Sequence, residues 1–286
     1  MFYFGAHLRK DPNIIAALQE IQKYGGNCLQ IFISNPMTSQ HKKKLFKKYE
    51  EEGPSTKKFL HDNDMKLFVH SPYILNFANR VVVPAEAYWV QSYYDELLIA
   101  DMIGAEGCII HVGKYLTQDY QDSLQYMYIS LKYLIHRVMD NNLNVKIILE
   151  TAAGQGTELL ATIDNSFEAL VTFYQRFSNR ERKVLKLCID TAHVYAAGYD
   201  IRDTKLLTNL VETFKDDIVL IHLNDSKREY NSHVDRHERI GKGTIGKKVL
   251  SEVVKIAYKY NISIILETPD NGYKKEIPWI KSLIDS

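Results

Sequence analysis

The chain has 286 residues, and its 36 Lys and Arg nearly balance 35 Asp and Glu, giving a formal net charge of +1. That balance excludes the strongly basic signature of a general nucleic-acid binder. With 45% hydrophobic and 25% charged residues, no low-complexity stretch, and no apolar run approaching the roughly 18 residues of a membrane span, it describes a compact soluble enzyme. The opening MFYFGAHLRK enters a strand without an apolar leader or cleavage site, so the expectation is an intracellular protein with no secretion signal, whether in cytoplasm, nucleus or virion.

In chain order, apolar runs alternate with helical periodicity. A strand over residues 3–7 precedes a helix over 12–24, and a strand over 28–33 precedes one over 55–63. The strand KLFVH, ending at His70, is followed by a helix over 84–104, and CIIH, ending at His111, by one over 119–141. IILE, ending at Glu150, leads to 165–178, and LCID, ending at Asp190, to 203–214. VLIH, ending at His222, leads to 246–260, and a second IILE, ending at Glu267, to 276–285. Pro12 and Pro84 suit first helical turns, and Asp203 or Thr204 suits a cap. Eight strands, each followed by a helix, predict a single (β/α)8 TIM barrel over residues 1–286, a fold that takes roughly 250 residues, with its active site at the C-terminal face of the strands.

Six of the eight strands therefore deliver His70, His111, Glu150, Asp190, His222 and Glu267 to one face, at spacings of 41, 39, 40, 32 and 45 residues. Imidazoles with carboxylates and no cysteine favour zinc or manganese. His193 in DTAH adds a further donor, as do Asp235 and His237 in VDRH, whose i, i+2 spacing puts both on one side of an extended segment. Nine donors exceed the needs of one ion and suit a cluster of two or three, with Glu150 or another carboxylate bridging. The three cysteines, Cys28, Cys108 and Cys188, are expected near strand starts at the opposite end, as reduced core thiols.

From GAH at Gly5 to LETPD ending at Asp270, through ETAAGQG, CIDTAHVYAAGYD, HLNDSK, VDRH and GKGTIG, the chain resembles the endonuclease IV family of metal-dependent apurinic/apyrimidinic (AP) endonucleases. The resemblance implies three zinc ions. His70 and His111 would hold one with Glu150, whose carboxylate bridges to a second held by Asp190, His222 and Glu267. His193, Asp235 and His237 would hold the third, and manganese could replace zinc at one site. His7 and Asn224 are expected to hydrogen-bond to these ligands rather than ligate.

The implied substrate is double-stranded DNA with an abasic site, cut on its 5′ side by metal-activated hydroxide to leave a 3′-hydroxyl and a 5′-deoxyribose phosphate, with 3′-end trimming as a further activity. A monomer is implied, with no membrane partner. Tyr73 matches the family's inserted tyrosine, while Met37 stands where many relatives carry arginine. Asn35, Gly154, Gln155, Gly156, Lys227, Arg236 and Lys242 are the further expected DNA contacts.

Other features are read more plainly. GKGTIG follows a polar loop rather than a strand, so it reads as a tight turn bringing backbone amides toward DNA instead of a dinucleotide site. The basic run from Lys42 to Lys48 reads equally as a solvated face, His41, His61, His136 and His233 as surface residues, and Tyr88, Trp89, Tyr93 and Tyr94 as helix packing. Two alternatives are a single-metal sugar isomerase or epimerase, for which Glu150, Asp190, His222 and Glu267 would suffice, and a noncatalytic zinc-stabilised DNA-binding protein.

Overall fold

The computed structural model describes residues 1–38, 43–161 and 167–285; His41, Lys42 and the expected helix start at 165 lie outside them. Eight parallel strands close into a barrel: β1 (Phe4–His7), β2 (Cys28–Phe32), β3 (Lys66–His70), β4 (Gly107–His111), β5 (Lys146–Glu150), β6 (Leu185–Asp190), β7 (Ile218–His222) and β10 (Ser263–Leu266). Strands adjacent in sequence are adjacent in the ring, which closes where β1 pairs with β10. Helices α1 (Ile14–Lys23), α2 (Lys43–Asp62), α3 (Tyr88–Ile103), α4 (Tyr120–Asp140), α5 (Glu168–Gln175), α7 (Thr204–Phe214), α8 (Lys247–Tyr260) and α9 (Tyr273–Ile284) accompany them.

Side-chain oxygens cap the starts of α1, α4 and α7. Asn13 accepts from the Ala16 amide at 2.9 Å, Asp119 from those of Gln121 and Asp122, and Asp203 rather than Thr204 caps α7. α2 begins twelve residues before its expected start, because Gly53 and Pro54 read as a boundary but lie inside the helix. A Cβ at Gly53 would stand 2.4 Å from the Met102 carbonyl oxygen, so the glycine permits α2 to press against α3. Unexpected elements include α6 (Thr191–Ala196) and an antiparallel ladder of β8 (Asp225–Ser226) with β9 (His237–Glu238) inside the loop after β7.

Alternation along each strand sorts the residues into an outer and an inner set. Outward-facing Leu29, Leu67, Ile110, Leu149, Leu187, Ile221 and Ile264 join the large core beneath the helices. Cys28, Phe68, Ile109, Ile148, Cys188, Leu220 and Ile265 form a separate cluster inside the barrel. Burying one such aliphatic or aromatic side chain contributes about 1.5–3 kcal/mol. Two residues further along the same strands stand Gln30, His70, His111, Glu150, Asp190, His222 and Glu267, so the polar layer rests directly on an apolar plug. Cys188 belongs to that plug, as the fourth residue of a six-residue strand. This corrects the expectation that all three cysteines lie near strand starts.

Candidate metal centre

The polar layer brings the strand-end donors together around Glu150, which is buried at 1% exposure. Its Oε1 lies 2.7 Å from His222 Nδ1, and its Oε2 lies 3.2 Å from His70 Nε2 and 3.0 Å from His111 Nε2. The carboxylate thus stands between two sets of donors. On the far side, Asp190 Oδ2 lies 3.8 Å from His222 Nδ1 and 3.5 Å from His237 Nε2. Asp235 closes the outer edge, 3.3 Å from His193 Nε2 and 3.1 Å from His237 Nε2.

Fixed oxygen acceptors orient four of the imidazoles. Nδ1–H donates to the carbonyl of Ser71 from His70 (2.8 Å), of Thr151 from His193 (2.8 Å) and of Glu267 from His237 (3.3 Å). His222 is reversed: its Nε2–H donates to Gln30 Oε1 at 2.8 Å. Each arrangement turns the other ring nitrogen toward the carboxylates, where its lone pair would be offered to a metal. Asn224 spans two further ligands, donating to Asp190 Oδ2 at 2.7 Å and accepting from the Glu267 amide at 2.8 Å. His7 accepts from Gln30 Nε2 at 3.0 Å and lies 3.7 Å from Glu267 Oε1.

Three observations fit these residues to divalent cations. His70, His111 and Glu150 offer ligand atoms within 4.8 Å of one another, as do Glu150, Asp190, His222 and Glu267, and also Asp190, His193 and His237. His237 Nε2 is buried and makes no hydrogen bond, because neighbouring Asp235 Oδ1 is near but not aligned with it. The electrostatics ask for positive charge at the centre. Burial works against ionisation of Glu150, yet His222 and His111 hold its carboxyl well below the usual range. Burial also disfavours the His237 cation, yet Asp190 and Asp235 push it up to about 9. Protons on histidine thus supply a countercharge that cations would replace. Cys188 borders Glu150 and His222, but burial pushes its thiol up to about 12, which marks it as packing rather than ligand.

A family model described as a xylose isomerase-like TIM barrel matches residues 18–283. A protein named "Probable endonuclease 4" from Mycoplasmopsis agalactiae is 33% identical over 285 residues, covering 97% of each chain. The chain belongs to the endonuclease IV family. The crystal structure of endonuclease IV from Thermus thermophilus superposes with a TM-score of 0.77 at 21% identity, over 99% of both chains. A D-tagatose 3-epimerase-like protein superposes at 0.69 with 16% identity, over 99% of this chain and 98% of its own. These two show a shared fold.

Above the donors, this endonuclease IV family member opens a cavity of about 780 Å³, lined by Met37, Tyr73, Leu116, Gln155, Arg236 and the site histidines among others. Tyr73 is 52% exposed, and its ring contacts His70 and His111 at centroid distances of 5.5 Å. Met37 is 67% exposed, in a turn where its amide donates to Asn35 Oδ1 at 2.9 Å. Gly154 and Gly156 have φ of +78° and +64°, and a Cβ at Gly154 would meet His233 Nδ1 at 2.4 Å. His233 is accordingly half-buried over this turn, a departure from the surface position expected. Gln155 turns inward, with its Oε1 accepting from the Asp235 amide at 3.3 Å.

Of the basic residues expected to meet DNA, Arg236 lines the cavity while Lys227 and Lys242 lie outside its lining. Lys227 pairs with Glu238 at 3.8 Å, Arg236 donates to the Asp235 carbonyl, and Lys242 is exposed. Lys47 and Lys48 lie on α2, Lys48 within 3.7 Å of Glu52. Tyr93 and Tyr94 pack in the core as expected, but Tyr88 is 61% exposed.

The GKGTIG loop differs from expectation. All six of its amides are used internally. Gly241 and Gly243 donate to Asp225 Oδ2 at 2.8 and 3.1 Å, and Ile245 and Gly246 to Oδ1 at 3.0 and 3.2 Å. Lys242 and Thr244 donate to the carbonyls of Arg239 and Ser226. The loop is an anion cradle filled by the protein's own buried carboxylate, so its amides are engaged within the protein. Asp225, Gln30 and Thr151 are not among the site residues expected from the sequence; their signal there is a polar side chain within or just after an otherwise apolar strand.

Proposed function

We propose that this chain is a metal-dependent AP endonuclease of base excision repair that hydrolyses the phosphodiester 5′ to an abasic site in duplex DNA, leaving a 3′-hydroxyl and a 5′-deoxyribose phosphate. As a member of the endonuclease IV family it is a DNA-cleaving hydrolase. The observation that carries the finer reading is the surplus of donors. Glu150, Asp190, His222 and Glu267 would complete a one-metal sugar site, leaving His70, His111, His193, Asp235 and His237 without purpose. We assign three zinc ions to the sets named from the sequence, with manganese acceptable at one, and extend the activity to trimming blocked 3′ ends in a monomer acting inside the cell.

Divalent ions held by these residues would supply an activated water and neutralise charge on the scissile phosphate and its leaving oxygen. Glu150 divides its two oxygens between neighbouring donor sets and so fixes their separation. Asp190 Oδ2 lies between His222 and His237, while its Oδ1 accepts from the His193 amide. Tyr73 and Met37 stand at the cavity mouth, where an apolar wedge can fill the gap an extruded nucleotide leaves. An abasic nucleotide is the cheapest to extrude, since no base has to be unpaired.

The test is single-turnover cleavage of a labelled duplex with one abasic analogue, before and after chelator treatment, with metal counted on the same sample. Chelator-sensitive incision immediately 5′ of the lesion with close to three metals per chain is the expected result. Full loading without incision would favour a noncatalytic DNA-binding protein, and one metal without incision a sugar enzyme.

A further inference from the structure

One member of the polar layer has no role as a ligand in that reading. Gln30 is fully buried in β2, and each end of its amide meets a residue assigned to the same ion. Its Oε1 accepts from His222 Nε2–H at 2.8 Å, and its Nε2 donates to Glu267 Oε1 at 2.6 Å and to His7 Nδ1 at 3.0 Å. A primary amide carries two N–H donors, and both are placed. The orientation is also determined. Flipping the amide would set NH2 against the His222 N–H and an oxygen against a carboxylate and an imidazole lone pair.

We propose that Gln30 is a positioning residue that sets His222 and Glu267 as ligands of one ion, and that it is the reason His222 presents Nδ1. The proposal rests on the metal-dependent reading above. His70, His111, His193 and His237 turn Nε2 toward a carboxylate at 3.0–3.3 Å, and the His193 Nδ1, 3.7 Å from Glu150, is taken by the Thr151 carbonyl; His222 instead turns Nδ1, 2.7 Å from Glu150 Oε1. Glu150 Oε1 beside Nδ1 and Gln30 Oε1 beside Nε2 both offer to accept the ring proton, and Gln30 holds it on Nε2 and leaves Nδ1 its lone pair. Without it, the tautomer with a proton on Nδ1 offers a donor where an ion needs a lone pair. Glu267 lies one residue beyond β10, so its carboxylate is not held by strand register. Gln30 Nε2 supplies the missing constraint while the Asn224 side chain holds its backbone.

The test is Gln30→Met, which keeps length and burial but removes both polar ends. Three quantities are read on purified protein: zinc stoichiometry and affinity by competition with a chromophoric chelator, the visible spectrum of the cobalt-loaded form, and melting of the metal-free form. The expected result is one zinc per chain weakened by about 10- to 100-fold, as for other residues that orient metal ligands. The cobalt spectrum should change while metal-free melting stays within a few degrees of the parent. Gln30→Asn, too short to reach both partners, should weaken the same ion and serves if Gln30→Met does not fold. Unchanged affinity and spectrum would overturn the proposal, and so would a uniform loss of all zinc with a collapse in metal-free melting. A parent chain that binds no divalent ion at all would overturn the metal-dependent reading together with it, whereas a normal parent with indifferent Gln30 variants would overturn this inference alone.

Discussion

Replacing Asp225 with Asn should destabilise the protein well beyond the loss of one surface charge. The Asp225 carboxylate accepts five backbone N–H groups: Oδ2 from Gly241 and Gly243, and Oδ1 from Ser226, Ile245 and Gly246. Asn retains one oxygen. In its better orientation the new NH2 replaces Oδ2, leaving the Gly241 and Gly243 amides facing a donor. An orphaned buried donor costs about 1–3 kcal/mol, so Asp225→Asn should lose about 2–6 kcal/mol. That is a large share of the roughly 5–15 kcal/mol by which a domain is stable.

The effect should reach the metal centre, because Ser226 pairs with His237 across the β8–β9 ladder. Urea unfolding of metal-free protein reads the stability as a shifted midpoint at unchanged slope. Chelator competition reads the zinc assigned to His193, Asp235 and His237. Gly243→Ala should act in the same direction, since its Cβ would stand 2.3 Å from the Ser226 carbonyl oxygen. A loss under about 1 kcal/mol for Asp225→Asn would refute the cradle as an organising element.

Three further outcomes are expected. Glu150→Gln keeps the shape of the side chain but removes the charge shared between His222 and the pair His70 and His111, so it should fold yet lose several orders of magnitude in single-turnover cleavage; near-normal cleavage would remove Glu150 from its bridging place. Met37→Arg adds a cation at an exposed position on the cavity rim, so affinity for an abasic duplex should rise and log K against log salt should steepen by about one. An unchanged salt slope would mean that the rim at Met37 does not meet phosphates. Finally, burial opposes ionisation of Glu181, but the Ser178 amide and hydroxyl with His136 and Lys132 hold its carboxyl at about 2, down from 4.5. A depressed acid stabilises above its unfolded pKa and loses that contribution as pH falls through its folded one. Glu181→Gln should therefore be less stable than the parent at pH 7, with the difference fading between about pH 5 and 2. An equal difference at both ends would sink that account.

What the sequence made legible was local. Strands ending in His or carboxylate are visible because strand alternation and helix periodicity are short-range signals, and the barrel follows from their recurrence. The gaps are long-range. Gln30 meets Glu267 across 237 residues of chain, a contact set by how β2 and β10 fall around the ring, so an amide in CLQIF looks like an isolated polar residue. The early start of α2 was hidden for a similar reason: Gly53 and Pro54 signal a boundary locally, but packing against α3 overrides it. GKGTIG was read by its pattern, whereas its role depends on Asp225, a carboxylate sixteen residues before its first glycine.

The stacking of the polar layer on the apolar plug also bears on how such a protein can change over time. Substitutions in the lower rung alter volume and therefore folding, while those two residues higher alter charge and therefore chemistry. The two kinds of change are carried on the same strands yet felt by different properties, so a lineage can retune the reaction without renegotiating the fold. A one-residue deletion within a strand has no such freedom. It turns a donor outward and a greasy side chain inward in the same event, coupling loss of catalysis to loss of the barrel.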